Sequence, residues 1–228
     1  MVATEAAAGL TTGISAVLTG RLASTSLTRR HVPSGWWAGA FGLATIAAGL
    51  QLIALLHGSF QPEWAYRVYL FTAALTPGVM GTGSAYLLGR TSWARACAVA
   101  VGIFTVVALI GAVTASLHVT VLNDPFMAAT SVAKVTTSPL MTIAFAGLGT
   151  IGGGVMIIGS AVSYIRTRSL NALYIFIGGT LFSAAGTSAA LGVPFVFFAD
   201  QAIGVLFLYA GAVFRRTTTT ASVTQSPA

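Results

Sequence analysis

The chain has 228 residues, 56% of them hydrophobic and 7% charged, with a mean hydropathy of +0.87 and a formal net charge of +7. Soluble domains carry about 25% charged residues, so this composition excludes a mostly water-facing surface. A single cysteine, Cys97, excludes a disulfide framework, and arginines that flank apolar spans instead of tracing one stripe argue against a nucleic-acid partner.

The first helix is predicted over 4–22. Its uncharged core, 6–20, is short, so Arg21 has to snorkel towards the headgroups. No basic region precedes it and Glu5 lies within it, so it reads as a retained helix and not as a cleaved signal. A basic loop, 22–34, closed by Pro33, leads to a second helix over 35–57, which the Gly and Pro chemistry of 58–62 ends. The third helix covers 63–88 and carries Pro77 near its middle, where a lost backbone hydrogen bond predicts a kink.

A fourth helix is predicted over 95–121, followed by a longer loop, 122–138, with Asp124, Pro125 and Lys134. The fifth begins at Pro139, a favourable first-turn position, and runs to 164. The stretch 169–214 carries one charge, Asp200, and is long enough for two spans. Gly192, Val193 and Pro194 mark the break, giving helices over 170–191 and 194–214. The Thr-rich tail, 217–228, reads as disordered and cytoplasmic. These spans predict an all-α polytopic membrane bundle, in which 1–216 form one domain of seven transmembrane helices.

Arginine positions set the expected direction. Arg21, Arg29 and Arg30, then Arg90 and Arg95, then Arg166 and Arg168, then Arg215 and Arg216 all fall at one face of such a bundle. Cytoplasmic loops retain Lys and Arg, so the N-terminus is expected outside and the C-terminus inside a cell membrane. Trp36, Trp37, Trp64 and Trp93, with Tyr66, Tyr164, Phe195, Phe197 and Phe198, map to the expected interfaces. The segment 159–186 also loosely echoes 20–49, each passing through a basic turn into a helix rich in small residues, which suggests two three-helix units joined by the fourth helix.

Glycines crowd the third helix (Gly78, Gly81, Gly83) and the fifth (Gly147, Gly149, Gly152, Gly153, Gly154, Gly159), with Gly149 and Gly153 forming a GxxxG pair. Small residues let helix backbones approach closely, so both helices are expected to be central, or to pack a membrane partner or a second copy. Intramembrane ionisable groups mark candidate sites. Asp200 lies about 9 Å along its helix from Pro194, and Arg67 sits one turn into the third helix at a similar depth. An interhelical Arg67–Asp200 ion pair is therefore expected, with Glu63 as an alternative local partner for Arg67.

His57, His118 and Glu63 lie at the same outer face, and Tyr66 adjoins Arg67, so an outward pocket of Arg67, Asp200, Tyr66, His57, His118 and Glu63 is the candidate solute or ion site. No His spacing ties a metal site together, and no P-loop, GxGxxG, HExxH or GxSxG constellation is present, so no metal, cofactor or enzymatic chemistry is predicted. Two functions follow from different features: binding or transport of a small solute or ion through that pocket, and a non-catalytic accessory subunit packed through glycine-rich faces.

Retinal proteins share the topology but need a lysine in the last helix, where this chain has none, and the proline-glutamine motifs of small sugar transporters are missing. Tyr66-Arg67-Val68-Tyr69 opens the third helix, Tyr86-Leu87-Leu88 ends its Gly-rich run, and the last helix carries Asp200. In these motifs the chain resembles uncharacterised prokaryotic seven-helix membrane proteins. The resemblance implies the topology and the Arg67–Asp200 pairing, and brings no activity with it.

Overall fold

The computed structural model describes residues 2–60, 62–87, 91–118, 122–124, 138–190 and 193–213. The expectations at Leu88, Arg90, Pro125, Lys134, Gly192, Arg215, Arg216 and the tail fall outside these residues. The described chain is all-helical: α1 (Val2–Arg29), α2 (Val32–His57), α3 (Glu63–Leu87), α4 (Thr91–Thr114), α5 (Pro139–Thr167), α6 (Leu170–Ala190) and α7 (Pro194–Val213). Within α5 a π-helical turn, Gly154–Gly159, separates two α-helical parts. Val32–His57, Ser92–Thr114 and Pro139–Thr167 are each long and apolar enough to cross a membrane.

Several helix ends differ from the expected ones. α1 continues through the predicted basic loop to Arg29, which complements the negative end of the helix dipole, and the Thr25 and Thr28 hydroxyls are satisfied on the Arg21 and Ser24 carbonyls. The turn is then only Arg30 and His31. Pro33 does not close a loop; it occupies the first turn of α2, where its missing N–H costs nothing. His31 caps that helix, its Nδ1 accepting from the Ser34 N–H at 3.3 Å. At the other end of α2, Gly58 adopts φ 72, a left-handed conformation that glycine reaches without steric cost. α4 stops at Thr114, seven residues before its expected end.

Interhelical contacts give the directions. Thr11 Oγ1 donates to the Phe198 carbonyl and Arg21 Nη1 to the Tyr209 hydroxyl, so α1 and α7 run parallel. Gly78 abuts Leu148 and Gly81 abuts Gly152, so α3 and α5 are parallel as well. Consecutive helices alternate. α1–α2–α3 and α5–α6–α7 form two antiparallel triplets; α3 against α5 and α7 against α1 close a ring of six, and α4 packs outside it on α3 and α5.

α3 is the most buried helix, and its closest approach to α5 is backbone on backbone. A Cβ on Gly81 would lie 2.6 Å from the Gly152 Cα, and one on Gly152 would strike the Pro77 carbonyl. Only glycine permits that crossing. Trp37 departs from its expected interfacial place: it is 1% exposed, seated against Gly83. Phe197 and Phe198 are likewise buried, against Ala8 of α1 and Ala185 of α6.

This threading segregates charge. Arg21, Arg29, Arg30, Arg95, Arg166 and Arg168 lie towards one end of the bundle, and Glu5, Glu63 and Asp124 at the other. Asp200, two turns into α7, belongs to the acidic half.

Candidate functional site

Arg67 is the one described arginine in the acidic half, and the early end of α4 explains its place. A helix C-terminus leaves its last carbonyls without intrahelical donors and carries a partial negative charge. Arg67 reaches across from α3 and donates Nη1 to the Ala112 and Val113 carbonyls, at 2.7 and 2.8 Å. Its guanidinium therefore caps a neighbouring helix.

The expected Arg67–Asp200 pair is not formed. α3 packs on α2, α4 and α5, whereas α7 packs on α6 and α1, so at least two helices intervene along either path around the ring. Equal depth, which motivated the pairing, does not bring two groups together when their helices are not neighbours. Nor does Arg67 turn back to Glu63, which lies exposed in the first turn of α3 where an acid complements the helix dipole.

The remaining expected residues disperse. Tyr66 is fully buried beside Arg67, edge-on to Phe60 at 5.2 Å and 5.8 Å from Tyr69. Phe60 is held there by its N–H, which donates to the Leu122 carbonyl at 2.8 Å. His57 is exposed, with Nδ1 2.9 Å from the Ile53 carbonyl, and serves as a polar end-group of α2. His118 is exposed beyond the end of α4. Among the described residues no group of three His, Cys, Asp or Glu converges as a metal site. Asp200 is partly buried on α7.

The glycine-rich faces separate into two kinds. Gly78, Gly81, Gly147 and Gly152 are filled from outside by neighbouring helices. Around Gly149 and Gly154 nothing lies within 4 Å of a Cβ, and Gly153 meets only the Ser183 hydroxyl at 4.0 Å. Ala146 and Thr150 are exposed and stand at i and i+4 before Gly154, so one face of α5 presents an open small-residue strip. Ile143 and Ile158, 53% and 66% exposed, flank it. The spacing of that strip was readable in the sequence; its openness was not, because spacing does not distinguish the inner face of a helix from the outer.

No family model, curated protein or solved structure matches the chain.

Proposed function

We propose that the chain is a multi-pass membrane protein whose seven helices all cross the bilayer, N-terminus outside, and that it acts as a non-catalytic packing subunit. The open small-residue strip on α5 carries this reading. In a bilayer the apolar lipid tails offer no hydrophobic drive for helix association, so close van der Waals approach over small residues is what joins helices. The inner glycines of α5 are already used against α3 and α4, whereas among the described residues no helix lies upon Ala146, Thr150 and Gly154. Another membrane subunit or a second copy of the chain fits that surface.

The orientation is supported by the segregation of arginines to one end. The membrane placement is supported by α4, whose Val99, Ile103 and Val113 are each more than 60% exposed, a face that water would not tolerate. The test is a Gly154→Leu substitution. Extracted in mild detergent, the parent is expected to run as an assembly and the variant as a single chain; an unchanged assembly mass contradicts the reading.

A second reading rests on Asp200, a partly buried carboxylate in an otherwise uncharged helix. Such a group is costly to hold in a bilayer and can serve a small solute or ion. The site is then centred on α7, α1 and α6, without Arg67. Asp200→Asn is expected to abolish flux into liposomes while leaving helicity intact; unchanged flux sinks this reading.

A further inference from the structure

Arg21 lies about 12 Å along α1 from its end at Arg29, well inside the helix. It is fully exposed, yet it is not directed away from the bundle: Nη1 donates to the Tyr209 hydroxyl of α7 at 3.2 Å. The two residues line a cleft of about 410 Å³ at the α1–α7 seam, together with Gly20, Leu22, Ser24 and Thr25 of α1. A Cβ on Gly20 would meet nothing within 4 Å, so the cleft floor is open. The chain's acids lie in the opposite half, and no carboxylate lines this cleft.

Directly above, one turn back along each helix, the surface turns apolar. Val17 on α1 is 60% exposed and Leu206 on α7 is 47% exposed. Cationic and hydroxyl donors thus sit under an apolar wall on the same outer seam. That sequence of chemistries matches an amphiphile whose anionic head lies at the arginine and whose chain runs up the seam.

We infer that the α1–α7 cleft binds the phosphate of an anionic membrane lipid, with Arg21 donating to the phosphate oxygens and Tyr209 supplying a second donor. The guanidinium fork suits phosphate geometry, and basic clefts between membrane helices on the arginine-rich side recognise such headgroups. A free soluble phosphate would use the same donors and leave Val17 and Leu206 idle. The inference needs the bundle to lie in a membrane but does not depend on the α5 strip.

The test is native mass spectrometry of the protein released from nanodiscs of equal phosphatidylglycerol and phosphatidylcholine, counting retained lipid. The parent is expected to retain one phosphatidylglycerol in preference to phosphatidylcholine. Arg21→Gln is expected to lower that retention at least fivefold and Tyr209→Phe by a smaller factor. Arg29→Gln, an equal loss of charge outside the cleft, is expected to leave it within twofold. Retention that survives Arg21→Gln, or falls equally with Arg29→Gln, overturns the site in favour of none or of diffuse charge attraction. In a second arm, glycerol 3-phosphate is added to phosphatidylcholine-only nanodiscs; binding that Arg21→Gln abolishes there would assign the cleft to a soluble phosphate and overturn the lipid. Helicity by circular dichroism accompanies each variant, and Arg21→Lys, which keeps the charge, is expected to retain an intermediate amount.

Discussion

Gly149 and Gly152 lie three residues apart on α5, and the same substitution at each should have opposite effects. At Gly152 an added methyl meets the Pro77 carbonyl of α3 and comes within 2.9 Å of the Pro77 Cβ. Ordinary contact begins near 3.4 Å, so the Pro77 Cβ alone must give about 0.5 Å, and the Pro77 carbonyl, which lies closer still, must give more. Backbone forms both sides. The relief must come from parting α3 and α5, which also loosens Leu148 against Gly78. Overpacking of a well-filled core costs about 1–3 kcal/mol, and a clash against rigid helix backbone belongs at or above the upper end. Gly149→Ala meets nothing and instead gains up to about 1 kcal/mol from the lower entropy cost of alanine in a helix. The two variants should differ by about 3–4 kcal/mol in reversible unfolding by SDS in mixed micelles, followed by far-UV circular dichroism. Equal stability within about 1 kcal/mol would refute the α3–α5 crossing on which the ring depends.

Arg67→Met removes the cap on α4 and is expected to cost about 1.5–3 kcal/mol by the same titration, the range for a hydrogen bond from a charged donor. Because Arg67 and Asp200 belong to non-adjacent helices, Arg67→Met and Asp200→Asn should be additive within about 0.5 kcal/mol; strong coupling would restore the ion pair. The Gln51 Nε2, 2% exposed in its residue, finds no hydrogen-bond partner among the described residues, so Gln51→Met is expected to be neutral or to stabilise by about 1 kcal/mol, and a loss above that would point to a partner for the amide.

Much of the helix order could be read from residue types, since Pro139 and Pro194 open helices, Gly58 closes one, and the arginine intervals alternate between ends. The loose echo between 20–49 and 159–186 gains a structural counterpart. Arg30 and Arg168, the last arginines of the two basic turns, are the two non-glycine residues with positive φ among those described. What the sequence concealed is lateral. Depth along a helix follows from counting residues, but which helices are neighbours follows from packing, so equal depth does not make Asp200 the partner of Arg67. Trp37 differs for a related reason: its distance from the helix start suggests an interface, while Gly83 on the facing helix opens a slot that holds it inside. The end of α4 carries no Gly or Pro signal, so the carbonyls that hold Arg67 were not foreseeable either.

The packing role stands or falls on whether the open strip of α5 meets another helix in the membrane. Single cysteines introduced from 143 to 158 in a Cys97→Ser background, cross-linked in native membranes, test this directly. Products are expected with helical period and maxima at Ala146, Thr150 and Gly154, exceeding those from the well-exposed Ile103 and Val99 of α4. A flat profile, or one no stronger than the α4 positions, would contradict the packing role.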